Sequence, residues 1–152
     1  MVRASKLWRR WVPETLGRGE ISFSELIIKA DHVTKGIDHC QQLVAMVEAN
    51  PDFELVSRPS LALLVFRLRP AGRNLQDAEL NLLNQRLHTR LNARYDVFLT
   101  QTMLISLERE IFCIRFAMGG INTTMEDVRA TWKVVVEEGG EVVKDWEAVS
   151  SQ

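Results

Sequence analysis

The sequence predicts an α+β domain with a small, mostly antiparallel sheet covered by helices. Three segments carry apolar residues at spacings of three and four, and two pairs of short apolar runs separate them. The predicted order is therefore helix, two strands, helix, two strands, helix, which favours sheet pairing between neighbouring strands. A length of 152 residues with 46% apolar residues suits one domain with its own core.

Each predicted helix has one apolar stripe and recognisable end signals. The first ends at Asn50-Pro51, and the second begins after Asn74 as N-cap. The third opens on Thr123 with Glu126 three residues later, a capping-box pattern, and Gly139-Gly140 ends or interrupts it. The stripes are Ala30, Val33, Ile37, Cys40, Val44 and Val47; Leu80, Leu83, Leu87 and Leu91; and Met125, Val128, Trp132, Val135 and Val136.

The strand-like runs are apolar on both faces. They are Phe53 to Ser57, Leu61 to Arg69, Tyr95 to Ile105 and Ile111 to Met118, with Glu108-Arg109-Glu110 lengthening the last hairpin. Arg67 and Arg115 interrupt the apolar pattern, and a sheet with two apolar faces indicates a covering element or a partner domain. We assign residues 1–25 to an irregular lead-in, 26–148 to the domain and 149–152 to a tail.

Composition excludes several classes of partner. The net charge is −1, from 19 basic and 20 acidic residues. Nucleic acids and anionic membranes bind clustered positive charge, so neither is an expected partner. The longest apolar run, Leu61 to Phe66, is far shorter than the ~20 residues of a membrane span. The basic residues near the start only faintly resemble an organelle presequence. Cys40 and Cys113 lie in apolar patterns, so we expect a reduced, cytoplasmic protein.

A series of short segments, in order and at matching separations, resembles the group II decarboxylases, which include the aromatic-amino-acid and tyrosine decarboxylases. The likeness covers roughly residues 25–138, and Ser5-Lys6-Leu7-Trp8 resembles a remnant of the preceding segment. The segments are His32 to Ile37, Asn50 to Val56, Pro59 to Leu68, Leu83-Asn84, Leu91-Asn92, Thr100 to Leu104, Cys113 to Gly119, Glu126 to Val128 and Trp132.

The resemblance implies the small C-terminal domain of an aspartate-aminotransferase-like enzyme. Such enzymes are dimers that use pyridoxal phosphate, and most of the active site lies in a separate large domain. We therefore expect a fragment or remnant of a decarboxylase for aromatic L-amino acids, with the large domain or a full-length subunit as partner. Residues 9–25 and the long hairpin depart from the family pattern, as a truncated or diverged product would.

The sequence motif that contains the family's cofactor lysine is not found in this chain. In the family this lysine, which forms the Schiff base with pyridoxal phosphate, directly follows a histidine. None of the lysines here does so; they are Lys6, Lys29, Lys35, Lys133 and Lys144. The catalytic tyrosine of the family's mobile loop has no equivalent either, because Tyr95 is the only tyrosine and lies at a strand start. We expect no catalytic or cofactor-binding residue in this chain.

Arg115 is the one candidate substrate-binding residue. The resemblance places it where a strand arginine of the small domain can bind the substrate α-carboxylate, and a guanidinium meets a carboxylate in bidentate fashion. The plainer interpretation, that Arg115 pairs with a nearby acid or reaches the domain edge, is favoured, since a decarboxylase must not hold the departing carboxylate too well.

Other motifs give weaker hypotheses. His32 and His39 are seven residues apart and do not have the spacing of a helical zinc pair, so we expect no metal site. Gly119-Gly120 before the third helix is explained by a turn as well as by an anion site. The tryptophans Trp8, Trp11, Trp132 and Trp146 suit packing. The alternative function is a stand-alone, ferredoxin-like α+β module that dimerises or binds a partner without catalysis. An exposed apolar sheet favours self-association.

Overall fold

The computed structural model describes residues 23–106 and 108–150 and has the predicted α+β architecture. Its helices and strands follow one another in the predicted order. They are α1 (Phe23–Glu48), β1 (Phe53–Leu55), β2 (Leu63–Leu68), α2 (Asp77–Asn92), β3 (Thr100–Ser106), β4 (Arg109–Ala117) and α3 (Met125–Ser150). The fold class is thus confirmed, while the predictions on residues 1–22, including Trp8 and Trp11, lie outside the described residues.

The four described strands form one fully antiparallel sheet in the order β1-β2-β4-β3. In the centre of the sheet Phe66 of β2 lies opposite Ile114 of β4, and Val65 lies opposite Arg115. On the other side of β4, Thr100 of β3 lies opposite Arg115. Arg115 is therefore flanked by strands on both sides.

The core lies between the helices and one face of the sheet, which we call the helix face. The predicted leucine stripe of α2 is buried throughout. Phe53, Phe66 and Trp132 form an aromatic cluster, with ring centroids 5.0 to 6.1 Å apart and tilted or edge-on geometry. The sheet contributes Leu64, Phe66, Leu68, Phe112, Ile114 and Phe116, and all six are buried.

Asparagines of α2 replace strand pairing where β2 and β4 diverge. These strands pair only from Leu63–Ala117 to Phe66–Ile114. Beyond that point the buried Asn84 accepts from Leu68 N at 2.7 Å and donates to Leu68 O at 2.9 Å. Asn81 does the same for β4, since it accepts from Phe112 N and donates to Glu110 O, both at 2.8 Å. The helix is thereby fixed to both strands by side-chain amides.

Both predicted N-caps are displaced by one or two residues. The N-cap of α2 is Gln76 rather than Asn74, and the Gln76 N–H donates to the Glu79 carboxylate at 2.9 Å. At α3 the reciprocal bonds join Thr124 and Asp127, not Thr123 and Glu126. The predicted caps also have an acid three residues later, Asp77 and Glu126, so this spacing alone does not select the cap that forms.

Gly139 and Gly140 neither end nor interrupt α3, which continues to Ser150. A Cβ atom at Gly139 would lie 2.9 Å from Phe53 Cζ, so this glycine permits close packing of the helix on the sheet.

Three of the strands are shorter than predicted, β4 is one residue longer, and the β3–β4 hairpin is tighter. β3 begins only at Thr100, and Tyr95 lies before it, fully exposed. In this connection an exposed ion pair joins Arg94 to Asp96 at 2.8 Å. At the hairpin, Ser106 lies opposite Arg109, so Arg109 and Glu110 belong to β4 and do not lengthen the turn.

Candidate functional site

The sheet face that points away from the core, here called the open face, carries the candidate residue. Because side chains alternate along a strand, its residues are those between the core positions of β2, β3 and β4. Most of them are half-buried, while Arg67 and Cys113 are buried. They are Leu63, Val65, Arg67, Thr102, Leu104, Ile111, Cys113 and Arg115.

One part of the open face is an ion-pair network around Arg67. This guanidinium contacts Glu54 of β1 and lies 3.2 Å from the Asp77 carboxylate at the start of α2. Arg109 donates to both oxygens of Asp77, at 2.6 and 3.0 Å. The buried charge of Arg67 is therefore compensated by two carboxylates, as a buried charge requires.

The network lowers the pKa of both of its acids. The hydrogen bond from Arg109, followed by that from Arg67, lowers the pKa of Asp77 from 3.8 to about 2. Burial alone would raise the pKa of Glu54, but hydrogen bonds from Arg69 and Arg67 bring it below its ordinary value. Both acids are thus fully ionised at neutral pH, and they hold β1, β2, β4 and α2 together.

Arg115 differs from Arg67 in its surroundings. Of the described arginines, Arg67 is buried, Arg115 is half-buried and the others are exposed. The Arg67 side chain is paired, whereas the Arg115 side chain has no hydrogen bond or ion pair with any residue that the structure describes. The expected alternative, a pairing with a nearby acid, is thus not found in this part of the chain. A half-buried guanidinium without a counter-charge is suited to receive an anion from outside the domain.

The described lysines do not fit a Schiff-base site. Lys29, Lys35, Lys133 and Lys144 are all exposed on helices. Lys35 pairs with Asp31, Lys133 with Glu137 and Lys144 with Glu141. The hydrogen bond from Lys144 to Glu141 raises the pKa of that ammonium, while a nucleophilic lysine needs a lowered one. Lys6 lies outside the described residues.

His32, His39 and the Gly119-Gly120 turn before α3 were weaker candidates for a metal or anion site. His32 Nε2 lies 3.0 Å from Gly119 O, which ties α1 to the Gly119-Gly120 turn. At the start of α3 the Asp127 carboxylate accepts from Thr124 N at 2.8 Å, so a side chain already caps this helix. His39 has a buried Nδ1 atom that finds no hydrogen-bond partner among the described residues. No group of metal-ligating side chains occurs within residues 23–106 and 108–150.

The cysteines are buried and free. Burial raises the pKa of both thiols, so neither has the thiolate character of a nucleophile. Within the described ranges, no helix has the length and apolar character needed to cross a membrane.

Comparison with curated proteins finds similarity to amino-acid decarboxylases. No family model matches the chain. Tyrosine decarboxylase 3 of Petroselinum crispum is 26% identical over 146 residues, which are 94% of this chain and 25% of that protein. A tryptophan decarboxylase of Camptotheca acuminata is 28% identical over 106 residues, 70% of this chain and 20% of that protein. The chain thus spans about a quarter of the length of the curated relatives it matches, or less.

Solved structures show the same fold. The 4-hydroxyphenylacetaldehyde synthase of Rhodiola rosea superposes with a TM-score of 0.65 at 25% identity, over 79% of this chain and 24% of that one. The tryptophan decarboxylase of Catharanthus roseus, solved with L-tryptophan, gives 0.64 at 23% identity, over 74% and 22%. In sequence and in fold, the chain matches the C-terminal small domain of the group II pyridoxal-phosphate-dependent amino-acid decarboxylases.

Proposed function

We propose that the chain acts as the small domain of a pyridoxal-phosphate-dependent carboxy-lyase for an aromatic L-amino acid. Its curated relatives include tyrosine and tryptophan decarboxylases, which supports the aromatic substrate class. The partner is then a large cofactor-binding domain, or a full-length decarboxylase subunit, that covers the open face. A reducing, cytoplasmic location belongs to the same proposal, in keeping with two free, buried thiols.

The unpaired guanidinium of Arg115 carries this proposal. It is half-buried in the middle of the sheet, next to the apolar side chains of the open face, yet has no counter-charge among the described residues. Covering this face would remove water from the guanidinium, which requires an anion at the same time. The α-carboxylate of an amino acid supplies such an anion, and its two oxygens match the two donors of the fork.

The chain alone is then not catalytic. Pyridoxal phosphate supplies the electron sink for decarboxylation when a lysine holds it. The described lysines are solvated and three of them are paired, so the partner domain would provide the cofactor lysine. The part left to this chain is to bind and orient the substrate carboxylate and to exclude water from the covered face.

A chimaera tests the proposal. In it, this chain replaces the matching region of the parsley tyrosine decarboxylase, and the rate of tyramine formation is measured. Arg115→Gln removes the charge and the fork, and Arg115→Lys keeps the charge alone. Because a hydrogen bond to a charged group contributes about 1.5–3 kcal/mol, we expect kcat/KM to fall about 10- to 150-fold in Arg115→Gln and less in Arg115→Lys.

Arg86→Gln is the matched control, since Arg86 is exposed on α2 and no hydrogen bond or ion pair of its side chain is described. Absorbance of the bound cofactor shows whether each chimaera is assembled. An assembled chimaera whose Arg115→Gln variant turns over like Arg86→Gln would contradict the role of Arg115. The alternative, a stand-alone binding module without a role in catalysis, would be favoured by a chimaera that neither binds the cofactor nor forms tyramine.

A further inference from the structure

β3 is an edge strand without the features that normally prevent edge-to-edge pairing. Among the described residues it pairs only with β4, along all seven positions from Thr100 to Ser106. Residues 97–107 contain neither a charged residue nor a proline. Natural sheets usually protect such an edge with lysine, proline or a bulge, because its free backbone N–H and C=O groups can bind another strand.

Apolar side chains of β3 are also exposed. Met103 lies opposite Phe112 and Ile105 lies opposite Glu110, so both project on the helix face of the sheet. They nevertheless lie outside the core, with exposed fractions of 38% for Met103 and 77% for Ile105. Single exposed apolar residues are ordinary, but two of them on the edge of an uncharged strand form an exposed apolar patch that favours association.

We infer that β3 pairs antiparallel with β3 of a second copy of this chain, about a two-fold axis through Met103. The occupant of a strand edge must itself be an extended strand, because only this shape meets alternate N–H and C=O groups. In the symmetric register Thr100 lies opposite Ser106, Gln101 opposite Ile105, and Thr102 opposite Leu104. No charge meets a like charge within the seven positions, so the strand is complementary to itself.

The pairing joins two four-stranded sheets into one eight-stranded sheet. It uses an edge of the domain and leaves the open face, with Arg115, accessible to the partner proposed above. The inference therefore stands apart from the decarboxylase role. A failure of one leaves the other intact, because one is measured by association of the chain and the other by turnover of a chimaera.

A cysteine at the symmetry axis gives the test. In Met103→Cys the two copies would place the Cα atoms about 4.5–5.5 Å apart, which suits a disulfide. The native cysteines are buried, and burial raises their thiol pKa, so they compete little. Ile121→Cys is the matched control, because Ile121 is 86% exposed and lies outside the sheet.

With oxidised glutathione added as the oxidant, we expect Met103→Cys to form a disulfide-linked dimer at micromolar concentration at least tenfold faster than Ile121→Cys. Sedimentation of the wild-type chain should show a dimer. Ile105→Lys should raise the dissociation constant of this dimer at least tenfold, whereas Ile121→Lys should leave the constant unchanged. Far-UV circular dichroism verifies that the variants fold. A monomeric wild-type chain, or equal cross-linking rates in the two cysteine variants, would overturn the inference.

Discussion

Replacing Asn84 by alanine tests how the helices are held to the sheet. Asn84 is completely buried, and its amide accepts from Leu68 N–H and donates to Leu68 C=O. Alanine has no side-chain amide, so the variant leaves both backbone groups of Leu68 without this hydrogen-bond partner beside a buried cavity. Each unsatisfied buried group costs about 1–3 kcal/mol, so we expect a loss of about 2–6 kcal/mol in the free energy of unfolding.

Urea denaturation followed by circular dichroism measures this loss. At a mid-range loss of about 4 kcal/mol, the Tm should also fall by about 8–16 °C for a chain of this size. Asn122→Ala is the control, because Asn122 is exposed in the loop before α3, and its effect should stay within about 0.5 kcal/mol. A loss below about 1 kcal/mol for Asn84→Ala would refute the bridging role.

Two further predictions concern α3 and the Asp77 network. Gly140→Ala should stabilise the chain by about 0.5–1 kcal/mol, since a Cβ there meets no atom within 4 Å. Gly139→Ala should be the less stable variant, because its Cβ would contact Phe53. Equal stabilities of the two variants in thermal melts would contradict this. The pKa of Asp77 is lowered from 3.8 to about 2, so its contribution to stability is present above about pH 4 and is lost as the pH falls towards 2. Asp77→Asn should therefore flatten the acid-unfolding curve over this window, and an unchanged slope would count against the network.

The sequence predicted the elements whose signals are local. The stripes of α1, α2 and α3 have helical periodicity over three or more turns, and each helix forms where its stripe lies. The errors fall at the ends, where a difference of one residue depends on a single hydrogen bond. Gly139 was misread for a different reason: its lack of a side chain serves packing against Phe53, 86 positions earlier in the chain, and no local signal shows that contact.

The candidate site was predictable only in part. Arg115 was identified from a family motif, but whether any described residue pairs with its side chain depends on which residues surround it in space. The network of Glu54, Arg67, Asp77 and Arg109 was missed, because its members come from four different elements. Asn84 did leave a signal, since it lies four residues from the buried Leu80, on the side of α2 that packs against the sheet. A polar residue at a core position indicates a required hydrogen bond.

We propose that this chain completes a decarboxylase whose cofactor lysine lies in another domain. The most direct test is borohydride trapping of the purified chain with pyridoxal phosphate, read by mass spectrometry beside a protein of the same size with exposed lysines. We predict only background labelling, spread over the solvated lysines. A stoichiometric adduct on one lysine would contradict the account, because it would place a cofactor site within the chain itself.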